Sequence, residues 1–244
     1  MTNWLYILPC AVPPLIIARR WLSLKPRQLL VSVEGNIGSG KSTFINLLKL
    51  HKDLIPGLCV IPEPVDEWRQ TGILKQFYKD PKQWAFHFQV FILITRTREL
   101  LMALGDKRNT IIVTERCLET DCMIFAELLR KQNFLNHQEW LLYVSIYRIV
   151  KDFVVKKSVE KIIYINTLPD LCCTRIHTRN RQEEKHISMN YIQDVHDQHV
   201  KWLGSSTETT TFMHSVNGEI DFTDENSPES NEVIESVRAW LMKI

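Results

Sequence analysis

Residues 31–49 read VSVEGNIGSGKSTFINLLK, and one run within them limits the fold more than anything else in the chain. An apolar stretch enters a turn holding Gly35, Gly38 and Gly40, and the turn ends in Lys41 and Ser42. The spacing is G-x-x-x-x-G-K-[ST] in full, with a strand-like segment before it and a helical pattern after it. Glycines let the backbone take dihedrals closed to other residues and come close to a ligand. The N–H groups of the loop from Gly35 through Asn36, Ile37, Gly38, Ser39 and Gly40 then point inward. The helix opening at Lys41, Ser42 and Thr43 adds its positive end. Such a cradle suits phosphate: Lys41 brings a compact charge to the outer phosphates, and the Ser42 hydroxyl can ligate Mg2+. A nucleoside triphosphate with magnesium is the ligand implied. A glycine turn without a ligand is the other reading.

The chain has 244 residues, 45% of them hydrophobic and 24% charged, enough for one large α/β domain with its own core. A formal net charge of +2 is too mild to argue for nucleic-acid binding. Cys10, Cys59, Cys117, Cys122, Cys172 and Cys173 form no C-x-x-C pair, so neither a zinc site nor a disulfide framework is indicated. A reducing compartment fits, and a cytoplasmic protein is expected. Residues 1–28 read as an extension ahead of a domain spanning 29–244. Its apolar run, WLYILPCAVPPLIIA, is shorter than the ~20 residues of a membrane-spanning helix and carries three prolines. No stable membrane insertion is expected. Arg19, Arg20, Lys25 and Arg27 follow, and the first acid is Glu34, which leaves a mitochondrial presequence as the alternative.

Short β-branched segments alternate with helical ones. LLVSVEG, LCVIPEP, TIIVTE, KIIYIN and TFMHSVNG read as strands, with helices from about 42–50, 81–104, 120–131 and 138–156, then over SMNYIQDVHDQHVKWL and at the C-terminus. This predicts an α/β fold, a five-stranded parallel sheet covered on both faces. Ligands in such sheets bind at the carboxyl ends of the strands, where Glu34, Glu63 and Glu115 fall.

The same cradle serves switch GTPases, motor ATPases and small-molecule kinases, so other residues must decide among them. Glu63, in IPEPVDEWR, could take a proton from an attacking hydroxyl, with Trp68 as a flat wall nearby. In PKQWAFHFQVFILITRTRELL, Gln89 and Arg96 sit on nearly one face of an otherwise apolar helix. Burying them unpaired costs on the order of 2 kcal/mol or more each. A nucleobase edge would satisfy Gln89 and Asp121 could hold Arg96; a structural salt bridge and a helix–helix hydrogen bond fit equally. Glu115 can serve magnesium, and Arg116 can bridge phosphate and base. RIHTRNRQEE groups Arg175, Arg179 and Arg181 ahead of Glu183 and Glu184, either as an arginine-rich lid over phosphate or as a solvated charged face.

EGNIGSGKSTF, PEPVDEW, FYKDPKQWAFHFQ, TERC and RIHTRNRQEE, in that order, resemble the deoxynucleoside kinase family of deoxycytidine, deoxyguanosine and mitochondrial-type thymidine kinases, from about Leu30 to the C-terminus. The resemblance implies a P-loop kinase that uses ATP and Mg2+ to phosphorylate the 5′-hydroxyl of a deoxyribonucleoside. It implies Glu63 as general base, Lys41, Arg116, Arg179 and Arg181 on the phosphates, and Ser42 and Glu115 on magnesium. Gln89 would read the base beside Arg96 and Asp121, between Trp68 and Phe125, while Tyr78 and Glu184 would bind the 3′-hydroxyl. Arg175 would belong to the lid, and Asp221 and Phe222 would hold the donor's adenine. A homodimer through roughly 84–104 and 140–155 is also implied. The chain departs from the family at Cys117, where serine is usual, and at Cys122, where arginine is common. Ile92 stands where the cytidine and guanosine members carry a small residue. A nucleoside monophosphate kinase would need a basic group for the acceptor's phosphate, and PEPVDEW offers acids instead. A non-catalytic P-loop nucleotide-binding protein is the remaining alternative.

Overall fold

A computed structural model describes residues 28–155, 159–181, 184–185, 187–204 and 212–243. Residues 1–27, on which the reading of a mitochondrial presequence falls, lie outside the described residues, and so does Glu183. Gln28 is already anchored: its Nε2 donates to the carbonyls of Asp106 and Asn109 at 3.1 and 2.7 Å.

Among the described residues five strands form one parallel sheet. They are β1 (Leu29–Glu34), β2 (Leu58–Ile61), β3 (Ile111–Glu115), β4 (Val159–Asn166) and β5 (Met213–Asn217), in the order β2-β3-β1-β4-β5. Around them lie α1 (Lys41–Leu50), α2 (Val65–Gln70), α3 (Ile73–Lys79), α4 (Pro81–Gly105), α5 (118–131), α6 (His137–Val155), α7 (Pro169–Arg179), α8 (Met189–Gly204) and α9 (Pro228–Met242). The expected five-stranded parallel sheet flanked by helices is the one observed.

β1 shows why the strands had to be apolar on both sides. Leu29, Val31 and Val33 pack with Phe44, Ile45 and Leu48 of α1 and with Ile234 and Val237 of α9. Leu30, pointing the other way, packs with Leu100 and Leu104 of α4 and Val154 of α6. Val33 lies beside Glu115, and Glu34 beside Tyr164, so the strands end together and present their acids on one rim. The chain winds to one side of β1 through β2 and β3, then to the other through β4 and β5. The glycine loop leaves at that switch point, where open α/β sheets bind ligands.

Helix ends follow local rules. Pro81 opens α4 behind Asp80, whose side chain accepts from the Gln83 N–H at 3.1 Å, and Ser227 caps Ser230 in the same way ahead of Pro228. Asn180, at φ 47°, stops α7 in a left-handed cap. Two findings differ from the sequence reading. The segment after Glu63, to which the sequence reading gave no element, forms the two short helices α2 and α3. α5 is not one α-helix from Thr120: it begins at Leu118, widens into π-helical turns over Asp121–Ala126, and returns to α over Glu127–Lys131. Such widened turns recur at functional sites, and here they carry Asp121 and Phe125.

Candidate active site

The loop from Gly35 to Gly40 wraps tightly because its neighbours leave no alternative. Gly38 has φ +77°, and a Cβ there would collide with the Cys172 carbonyl. Gly35 has φ +145°, and its Cβ would meet the Ile165 carbonyl at 2.7 Å. Asn36 ties the loop to α8 by donating to the Ile192 carbonyl at 2.9 Å. Lys41 bends back over the loop and donates to the Asn36 carbonyl at 2.5 Å. Burial, and next the charge of Arg116, lower its ammonium to about 7. The negative charge of a polyanion in the loop would oppose both effects and favour the ammonium. Ser42 Oγ donates to Glu115 Oε1 at 2.6 Å, which places a hydroxyl and a carboxylate oxygen side by side above the cradle.

Arg96 organises the opposite wall. Its Nε donates to Asp121 Oδ2 at 2.8 Å, Nη2 to Glu63 Oε1 at 2.8 Å and Nη1 to the Glu115 carbonyl at 2.5 Å. Burial would raise the Glu63 carboxyl, but Arg96 and then Arg116 outweigh it, so the group is held below its ordinary value and stays an anion. Asp121 ends the other way: burial exceeds the help of Arg96 and pushes it up to about 6. Arg116 has φ 66°, unusual for a residue with a Cβ, and its guanidinium lies over the Phe125 ring at 4.7 Å. It is buried, stands 3.8 Å from Glu63, and its Nη1 has no partner. A buried cationic donor without a protein acceptor, beside the glycine loop, has the chemistry to take an anion.

Two cavities meet at this point. One is lined by Ile37, Glu63, Trp68, Tyr78, Gln89, Ile92, Arg116, Asp121, Phe125, Arg179, Arg181 and Glu184. The other is lined by Gly40, Thr43, Arg175, Asp221 and Phe222. Both touch Gly38, Lys41, Ser42 and Arg179. In the first, the flat walls are Trp68 and Phe125, and Gln89 Oε1 is buried without a partner. Burial raises the Tyr78 phenol, keeping it a hydroxyl donor. On the lid side, Glu184 accepts from Arg179 at 2.7 Å and from Arg181 at 3.3 Å.

The residues 31–242 match the family model for deoxynucleoside kinases. The chain belongs to the deoxynucleoside kinase family. It is 36% identical over 203 residues to the fowlpox virus protein named "Probable deoxycytidine kinase FPV151", covering 82% of this kinase and 83% of that protein. It is 31% identical over 241 residues to deoxycytidine kinase 1 of Xenopus laevis, covering 86% and 89%. With the mitochondrial deoxyguanosine kinase of the same frog it shares 30% over 239 residues, covering 86% and 89%. The kinase therefore phosphorylates a nucleoside, and its family implies ATP as the donor. The monophosphate-kinase and non-catalytic readings are not favoured.

The kinase gathers the residues singled out in its sequence, with differences of placement. Arg96 does not line the first cavity; all three of its nitrogens are engaged by protein acceptors, among them Glu63 and Asp121, which do. Arg175 is set apart from its two neighbours in the arginine run. It donates to the Gly218 carbonyl at 2.6 Å and the Ser39 carbonyl at 3.3 Å, clamping the Asp221–Phe222 loop to the cradle. Glu184 pairs with both of the other two arginines and offsets part of their mutual repulsion. Asn36 and Ser39 serve the loop from inside rather than its wall. Sequence reasoning missed Tyr191, which lines the first cavity, and Thr178, Ile220 and Thr223 of the second. The signals that pointed there were the arginine run around Thr178 and the Asp221–Phe222 pair that Ile220 and Thr223 flank. No helix among the described residues is long and apolar enough to cross a membrane.

Proposed function

We propose that the kinase transfers the terminal phosphoryl group of ATP to the 5′-hydroxyl of deoxycytidine, with Glu63 as the base. The observation that carries this reading is the meeting of the two cavities at Lys41, Ser42 and Arg179, with an anionic Glu63 and an unpartnered Arg116 nitrogen beside them. Phosphoryl transfer needs little covalent help from a protein; in-line positioning and charge stabilisation supply most of the rate. Lys41, Arg116, Arg179 and Arg181 are the cations for that charge. Ser42 and Glu115 suit Mg2+, a hard ion that takes few protein oxygens and leaves the rest to phosphate and water. When bound, it would neutralise charge on the donor phosphates.

For the base, Asp121 and the open oxygen of Gln89 are both acceptors, which favours a ring bearing an exocyclic amine. Ile92, packed with Trp68 and Phe88, fills depth that a second ring would need, which favours cytosine over adenine. Tyr78 and Glu184 fit the 3′-hydroxyl. Ile94 and Met102 of α4 and Leu142, Ile149 and Phe153 of α6 are exposed, and this supports a homodimer through those helices. The five described cysteines are all free, in keeping with a reducing, cytoplasmic setting.

The test is a panel of four deoxynucleosides with ATP and Mg2+, scored for 5′-monophosphate. Deoxycytidine should have the highest kcat/KM. Equal or better use of thymidine would refute the base assignment.

A further inference from the structure

Asp121 adjoins Cys122 on the π-helical turns, and Cys122 shares a buried cluster with Tyr143 of α6. α6 packs on α4 and on the π-helical turns of α5. Tyr143 is fully buried in a cluster with Cys122, Leu118, Ala85 and Leu93, and its ring stacks on Trp140 at 6.4 Å and 28°. Its hydroxyl has no hydrogen-bond partner. Burial, above all, holds the phenol protonated, and Asp121 is the charge that adds most to this, ahead of Cys122 and Tyr147. An unpartnered hydroxyl in a core is a penalty that phenylalanine would avoid. The hydroxyl therefore calls for a role that packing does not supply.

We propose that Tyr143 is a positioning residue for Asp121, its O–H donating toward the carboxylate through one bridging water or a small shift of the ring, so that Asp121 meets the base as an acceptor. This rests on the reading of Asp121 as the group that accepts the base's amine. The charges around Asp121 leave it in need of such a donor. Arg96 of α4 occupies Oδ2, Arg116 lies further off, and Glu63 repels it from across the site. Its own helix adds the Cys122 thiol, which burial keeps protonated. From α6 the phenols of Tyr143 and Tyr147 lie in the cluster behind Cys122, and that of Tyr143 is buried with no acceptor of its own.

The experiment compares Tyr143→Phe, Asp121→Asn and the double variant in the full-length chain, by kcat and KM for deoxycytidine and by thermal unfolding. Tyr143→Phe removes one oxygen and leaves the ring, so the fold should persist, with an unfolding midpoint close to the parent's. KM for deoxycytidine should rise about 10-fold, the worth of one hydrogen bond to a charged group, with kcat within about 2-fold. In the Asp121→Asn background the same change should add nothing. If Asp121→Asn raises KM but Tyr143→Phe does not, or if Tyr143→Phe costs as much in both backgrounds, the positioning role is wrong. An unchanged KM in Asp121→Asn overturns the amine-acceptor reading itself, and the proposal with it.

Discussion

Replacing Glu63 with glutamine keeps the side chain's shape and removes its charge and basicity. The chemical loss is set by the role of the base. A positioned general base contributes about 10²–10⁴-fold, which is ~3–5 kcal/mol at 1.36 kcal/mol per decade. The structural loss is smaller. Arg96 loses a charged acceptor at 2.8 Å, but the glutamine oxygen can still accept, and the guanidinium keeps Asp121 at 2.8 Å and the Glu115 carbonyl. The Glu63 side chain is 21% exposed, so water already screens part of its charge. Stability should therefore fall by only about 1 kcal/mol. Steady-state formation of labelled monophosphate, calorimetric binding of the nucleoside and thermal unfolding separate the two losses. The expected result is a kcat at least ~100-fold lower with nucleoside affinity within a few-fold of the parent. A kcat close to the parent's would refute the reasoning. The pH dependence of stability gives a second reading of the same charge. Because the folded carboxyl is held below its ordinary 4.5, its contribution is present above that pH and is lost as pH falls through the folded value. The acid limb of stability below pH 4.5 should be shallower in Glu63→Gln.

Three further outcomes are expected. Burial holds Asp121 up at about 6, so KM for deoxycytidine should rise as pH falls through 6, and Asp121→Asn should flatten that profile; the same slope in both would remove Asp121 from base recognition. Gly38→Ala must fit a Cβ against the Cys172 carbonyl at φ +77°, and should cost about 10-fold or more in ATP affinity by equilibrium titration. Ile149 is 71% exposed on α6, and Ile149→Glu should convert a dimer to a monomer in light scattering; an unchanged mass would exclude that face as the interface.

The sheet was legible because each strand is an apolar run between turn residues, and the cradle because its glycines, Lys41 and Ser42 sit at fixed offsets. Glu63, Gln89, Arg116, Asp121 and Phe125 could be named from short motifs that the fold brings to one rim. The pairing of Arg96 with Asp121 was anticipated, since a guanidinium on an apolar helix must find a carboxylate. Less local facts escaped. α2 and α3 together span few residues, too short for a helical period to stand out, and Pro62 and Pro64 read as loop signals. The π-helical turns at Asp121 leave no periodic mark in six residues. The binding of Arg175 to the Gly218 carbonyl depends on a β5 loop distant in sequence. The same holds for Tyr143, whose burial against Cys122 depends on how α6 packs on α5.

The most direct measurement is a crystal structure of the kinase with deoxycytidine and a non-hydrolysable ATP analogue. The expected 5′-oxygen lies about 2.6–3.2 Å from a Glu63 carboxylate oxygen, on the line to the terminal phosphorus in the Gly35–Ser42 loop. A nucleoside bound with its 5′-oxygen turned from Glu63, or a triphosphate seated outside that loop, would contradict it.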